Sequence, residues 1–171
     1  QARARAARYH ALARAARAAS ATVVATAHHA DDRAETVLLR ILRGSGPAGL
    51  AVMPAAAPCP GAPDLTLFRP LLRASRADVM LHVERHRLVV ASDPSNADPR
   101  YLRVRVRSEL LPHLVDLSPR IVAHLNALAD ALAELHVEPT STYAGLPPMR
   151  LARRHRALLD ALPSSRAEAS V

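Results

Sequence analysis

An α/β fold built on a doubly wound parallel sheet with helices, followed by an α-helical C-terminal segment, is predicted for this 171-residue chain. Three observations predict it. Tyr9, Leu12 and Ala16 recur at helical spacing within residues 1–20, and the apolar run Thr22-Val23-Val24-Ala25-Thr26 then reads as a short buried strand. A polar turn follows, and Val37, Leu38, Ile41 and Leu42 form the inward face of a second helix. Helix, strand, turn and helix in succession make one step of such a sheet. The length supports one domain, or one domain with a short helical appendage, because domains commonly hold about 100 to 200 residues.

Composition excludes several chemistries. The 23 basic residues are all Arg and face 15 acidic ones, for a net charge of +8. With no lysine, the segment supplies no Walker-A loop, Schiff-base lysine or lysine general base. Coding bias accounts for Arg without Lys and for the abundance of Ala. A lone Cys59 makes no internal disulfide, four-cysteine zinc site or cysteine-ligated cluster, which fits a reducing cytosol. The aromatic residues are Tyr9, Phe68, Tyr101 and Tyr143, too few for a base-stacking platform, so any RNA affinity must rest on charge and shape. The longest uncharged stretch, residues 44–63, is broken by Pro and Gly and is no membrane helix.

The first element, residues 1–20, is rich in Arg and Ala and holds no acidic residue, the first being Asp31. It is expected to be a helix continuing an upstream domain rather than a transit peptide. After the strand come His28, His29, Asp31, Asp32 and Glu35 within eight residues, where α/β sheets gather ligands beyond the carboxyl ends of their strands. Capping and the helix macrodipole alone would favour those acids in a first helical turn. Their density beside two imidazoles also suits Mg²⁺ held against a polyphosphate, since magnesium takes oxygen ligands and keeps several waters.

Further along, residues 65–68 alternate into a strand ended by Arg69-Pro70. Ser75 with Asp78 three residues later starts a helix reaching about His86. Leu88-Val89-Val90-Ala91 is a further strand candidate, delivering Asp93, Ser95, Asn96 and Asp98 to a loop. Arg100, Arg103 and Arg107 then share a helical face, whose phosphate partner is either ATP or RNA. Ser118 and Pro119 cap an amphipathic helix with the stripe Ile121, Leu125, Leu128, Leu132 and Leu135, which reads as packing. Residues 138–148 form a linker, residues 149–162 a basic helix with Arg150, Arg153 and Arg154, and residues 163–171 a frayed tail.

The stretch His28-His29-Ala30-Asp31-Asp32-Arg33-Ala34-Glu35-Thr36-Val37-Leu38-Leu39-Arg40, with Arg43-Gly44-Ser45-Gly46-Pro47-Ala48-Gly49-Leu50, closely resembles the tRNA(Ile)-lysidine synthetase family, a branch of the N-type ATP pyrophosphatases. Arg69-Pro70-Leu71-Leu72, Arg76, Asp93-Pro94-Ser95-Asn96-Ala97-Asp98, Tyr101, Arg103, Arg105, Arg107 and Leu110-Leu111-Pro112 follow in the family's order. The resemblance runs from the first residues to Pro112. It implies a partial Rossmann-like sheet of the adenine nucleotide alpha-hydrolase type. Residues 1–115 would be a partial catalytic domain, and residues 116–171 a helical linker with the start of a small tRNA-holding domain. The family's Ser-Gly-Gly-x-Asp-Ser phosphate loop does not occur in these residues, so the chain is expected to begin after it and not to make product alone. Arg33, Ser92 and Val104 stand where the family usually has Gln, an acid and Asn.

The activity implied by the resemblance is ligation of free lysine to C2 of the wobble cytidine of a CAU-anticodon tRNA(Ile). ATP first adenylates the C2 carbonyl oxygen, and the lysine side-chain amine then displaces AMP. Asp31 or Asp32 would bind Mg²⁺ or orient the lysine ammonium, and His29 would touch phosphate or transfer a proton. Arg40, Arg43, Arg103 and Arg107 are candidates for nucleotide or phosphate contacts, with Asp93, Ser95 and Asn96 in a loop near the site. Arg150, Arg153 and Arg154 would hold tRNA. ATP and Mg²⁺ are the cofactors implied, the setting is cytoplasmic without a membrane, and a homodimer stays open. A basic RNA-binding remnant without catalysis is the alternative, and a tRNA 2-thiocytidine synthetase ranks below it for want of cysteines.

Overall fold

The computed structural model describes residues 2–91 and 98–135, which fall in the first of the two units into which the chain divides, Gln1–Val137. The loop containing Asp93, Ser95 and Asn96, the departure at Ser92, and the basic helix with Arg150, Arg153 and Arg154 lie outside the described residues.

Helix α1 (Ala2–Ala18) buries Tyr9 and Ala16 of the predicted face together with Ala13, and Leu12 is partly buried. The chain turns through Ser20, whose φ of 53° is left-handed, into β1 (Val23–Ala25). Only Val24 of β1 is buried. Val23 is half exposed, so the strand is covered on one face rather than enclosed on both. β1 pairs in parallel with β3 (Ala62–Phe68), Val23 opposite Thr66 and Ala25 opposite Phe68. The sheet order is β1-β3-β2, so the described sheet is mixed rather than wholly parallel.

β2 (Ala56–Cys59), antiparallel to β3, forms within the Pro- and Gly-rich stretch 44–63, for which the sequence predicts no strand. Pro58 cannot donate to a ladder. It sits at a sheet edge, where a missing N–H breaks no inner ladder, and the register shifts between Pro58 and Cys59. The hairpin closes at Pro60 and Gly61, and Gly61 takes a φ of 76° that glycine accepts at little cost. α1 covers one face of this sheet, where Tyr9, Ala13 and Ala16 pack with Val24, Cys59, Ala62, Leu65 and Leu67.

A second core is mainly helical. α2 (Ala30–Ile41) presents Ala34, Val37, Leu38 and Leu39 to Val52, Val106, Leu111, Leu125 and Ala129. Past the short α3 (Pro47–Leu50) and the hairpin, α4 (Arg76–Arg85) begins at the Ser75/Asp78 capping box that its sequence signals. Ser75→Ala should therefore lower the unfolding free energy by about 1 kcal/mol in urea denaturation, by orphaning one backbone donor. α4 ends at Arg87, with φ 50° and the Leu88 N–H bonded to the Val83 carbonyl.

The strand expected at Leu88-Val89-Val90-Ala91 does not form. No strand among the described residues pairs with it, and Val89 is 101% exposed. Apolar β-branched composition makes a strand only where a partner offers ladder bonds, and this stretch has none there.

α5 (Leu102–Arg105) runs through a wide turn at Val106–Leu110 into α6 (Leu111–Leu117). In that turn the Leu111 N–H reaches the Val106 carbonyl, five residues back, immediately before Pro112, which has no N–H to continue the ladder. α7 (Ile121–Leu135) starts two residues after the predicted Pro119. Its buried positions are Leu125 and Ala129, with Ile121 and Val122 partly buried, whereas Leu128 and Leu135 are exposed. The predicted leucine stripe is thus rotated toward small Ala129, which lets α7 approach α2 closely. α7 packs on α2.

Candidate active site

The carboxyl end of β1 opens on a cleft of about 630 Å³. Residues 25–28 form its floor, Arg8 and Tyr9 of α1 one wall, and Arg103, Val104 and Arg107 the other, with Asp32 and Tyr101 also lining it. This is where ligands of α/β sheets collect. Local bonding explains why the turn is fixed. The Thr26 N–H continues the β1–β3 ladder to the Phe68 carbonyl (2.9 Å), and the Ala30 N–H meets the Ala74 carbonyl (2.8 Å).

His29 is the N-cap of α2. Its Nδ1 accepts from the Asp32 N–H (3.4 Å), while Asp32 Oδ2 accepts from the His29 N–H (3.2 Å). Asp31 turns to the start of α4, where Oδ2 accepts the Arg76 N–H at 2.7 Å. His29 Nδ1 lies 3.6 Å from Asp31 and Nε2 lies 3.5 Å from Asp32, so the three predicted residues are neighbours. Of them only Asp32 lines the cleft; His29 and Asp31 tie the turn together behind it.

Beneath the cleft Glu35, 1% exposed, joins the two arginines of the opposite wall. Arg103 donates through Nε to Oε2 (3.0 Å), and Arg107 through Nε to Oε1 (2.6 Å) and Nη2 to Oε2 (3.0 Å). Both Nη2 atoms also lie 3.5 Å from Asp32 Oδ1. The hydrogen bond to Glu35 raises the Arg107 pKa above its ordinary value. Two carboxylates therefore match two guanidinium groups, each of which keeps about a third of its surface exposed. Arg8, in contrast, lines the cleft without an ion pair to any of the described residues.

Arg40 and Arg43 are exposed at the other end of α2 and do not reach the cleft. Arg100 precedes α5, so it does not share its face with Arg103 and Arg107; it pairs instead with Asp98 at 2.7 Å. Arg33 points away from the cleft into the helical core, bonding the Val52 carbonyl (3.0 Å) and Asp130 (2.6 Å), whereas Val104 lies in the cleft wall. Among the described residues no three His, Cys, Asp or Glu side chains converge to hold a metal.

Sequence reasoning missed Arg8, Glu35 as a buried clasp, and the choice of His28 over His29. The arginine of the Arg-Tyr pair in α1 carried no distinguishing signal, because it was one of many exposed arginines. His28 lines the cleft and bonds Thr26 Oγ1 through Nδ1 at 2.9 Å. Burial pushes its pKa below the ordinary 6.5, assisted by the positive fields of Arg69 and Arg103 against the opposing effect of Asp32. A base depressed in the folded state binds fewer protons than in the unfolded chain, so stability should fall as pH drops below about 6.5 and level off under the folded pKa. Imidazole C–H shifts by NMR should show His28 titrating below 6.5, and His28→Gln should flatten that part of the stability profile. A His28 midpoint at or above 6.5 would contradict the burial account.

The cleft lies where α/β sheets collect their ligands, and comparison with known proteins gives the family of the chain. Residues 1–114 match the PP-loop domain model, and the chain belongs to that family. It is 47% identical over 120 residues to the tRNA(Ile)-lysidine synthase of Pseudomonas aeruginosa, covering 66% of this chain and 26% of that protein. Identity to the tRNA(Ile)-lysidine synthase of Novosphingobium aromaticivorans is 47% over 135 residues (79% and 41%), and to that of Bradyrhizobium sp. 45% over 148 residues (84% and 40%). The chain thus spans between a quarter and two fifths of the length of these relatives. No helix among the described residues is long and apolar enough to cross a membrane.

Proposed function

We propose that this chain supplies part of the adenylating centre of a tRNA(Ile)-lysidine-forming ligase acting in the cytoplasm. The observation that carries the reading is the arginine-lined cleft at the carboxyl end of β1, in a chain related to tRNA(Ile)-lysidine synthases along most of its described length. In the first step the C2 oxygen of the wobble cytidine attacks the α-phosphorus of ATP, an O–P bond forms, and pyrophosphate leaves. In the second, the side-chain amine of lysine attacks C2, the C–O bond breaks, AMP departs with the oxygen, and the amine gives up a proton.

The chain's own groups suit the charge that moves in those steps. Arg8, without an ion-pair partner among the described residues, suits a phosphate, and Arg103 and Arg107 are held in one orientation by Glu35, so their outward N–H groups need no reorganisation. His28, kept neutral by burial, can take a proton within the cleft. Asp32 attracts the lysine ammonium or the cation that accompanies ATP. Magnesium fits this donor set only as an ion carried mainly by substrate phosphates and water, with Asp32 its protein ligand, because Asp31 is committed to α4. When bound, the ion would neutralise polyphosphate charge. His29 and Asp31 act by shaping the turn.

The test is pyrophosphate release from ATP by the complete gene product. Release should require tRNA(Ile) with a CAU anticodon and be indifferent to tRNAs of other anticodons. Tight tRNA binding without any release would favour the basic RNA-binding reading.

A further inference from the structure

The back of α2 is gripped by α7. Asn126 Nδ2 donates to the Ala30 carbonyl at 3.0 Å, and one turn along, Asp130 Oδ1 meets Arg33 Nη1 at 2.6 Å. Arg33 is 4% exposed, and its Nε also donates to the Val52 carbonyl. Leu125 and Ala129, each one residue before an anchor, are buried in the core that α7 shares with α2.

Residues on an α-helix advance by about 100° each, so Asp32 and Glu35 share one face while Ala30 and Arg33 lie roughly a quarter turn or more away. The anchors therefore fix the rotation of α2 about its own axis, and that rotation sets where Asp32 and Glu35 meet Arg103 and Arg107. The ion pair is well suited to this. A guanidinium this deeply buried tolerates neither loss nor reorientation of its partner, whereas an apolar contact would slide.

We propose that Asp130, acting through Arg33, is a positioning residue for the cleft: it locks α2 so that the carboxylates aim at the arginine wall. The effect on catalysis rests on the ligase reading; the locking itself does not. The test compares Asp130→Ala and Asp130→Glu with the wild type in the complete gene product. In Asp130→Ala, kcat for lysidine formation should fall on the order of tenfold with KM for ATP little changed, because the groups remain present but misaligned. Backbone amides of residues 31–35 should exchange hydrogen faster, and Asp130→Glu, which keeps the carboxylate, should recover most of both losses. Wild-type kcat and exchange in Asp130→Ala, a change in KM alone, or no recovery in Asp130→Glu would overturn the proposal.

Should Asp130→Ala fail to fold, Arg33→Gln is the second variant, since it leaves Asp130 37% exposed and 3.7 Å from Arg73. It should speed exchange at residues 31–35, and unchanged exchange would overturn the proposal. If the wild type makes no lysidine, the ligase reading falls, and the exchange measurement still decides the lock.

Discussion

Replacing Glu35 by Ala should lower the unfolding free energy by roughly 3 kcal/mol, toward the lower end for breaking a buried ion pair because Arg103 and Arg107 keep some access to water. Glu35 makes the short hydrogen bonds to both arginines, at 2.6 to 3.0 Å, whereas Asp32 reaches each at 3.5 Å. Its loss leaves two guanidinium groups repelling one another over a buried gap. Urea denaturation of the chain reads the effect, and Glu35→Gln, which retains volume but not charge, should lose most of the same stability. A change below about 0.5 kcal/mol, the range of ordinary surface substitutions, would mean that the arginines are held by something else.

The second large effect concerns catalysis without stability. Arg8→Ala should leave the melting temperature nearly unchanged, since the side chain is exposed and makes no ion pair with the described residues. Its removal should nevertheless slow pyrophosphate release on the order of a hundredfold, comparable to losing one preorganised donor to a developing negative charge. Single-turnover rates at saturating ATP make the measurement. An equal loss from Arg40→Ala, whose side chain lies at the far end of α2, would show that bulk charge rather than the cleft carries the effect. Asp32→Ala is a less selective probe, because the same carboxylate closes the capping box of α2.

What could be read in advance follows a physical division. Local signals were legible: the α1 face through Tyr9 and Ala16, the Ser75/Asp78 start of α4, and the helix opening after His28 and His29 depend on neighbours within a turn. Non-local pairings were not. β2, which contains Pro58 and lies at the edge of the described sheet, was not read as a strand, and the expected strand at Leu88-Val89-Val90-Ala91 lacks a partner among the described residues. The candidate site shows the same limit. The polar turn was visible as a density of acids and histidines, yet spacing could not tell which side chains face the cleft and which hold the turn. His29 and Asp31 spend their polar atoms on backbone N–H groups, and Arg103 and Arg107 find their acidic partners on α2, far away in sequence.

The central claim is that the arginine-walled cleft adenylates cytidine for lysine attack. It is tested most directly by mass analysis of the wobble nucleoside recovered from tRNA(Ile) after incubation with the complete gene product, ATP and lysine. The account predicts cytidine converted to its lysine adduct by the wild-type protein and left almost unmodified by Arg8→Ala. Unmodified cytidine with the wild type, or the same conversion with Arg8→Ala, would contradict it.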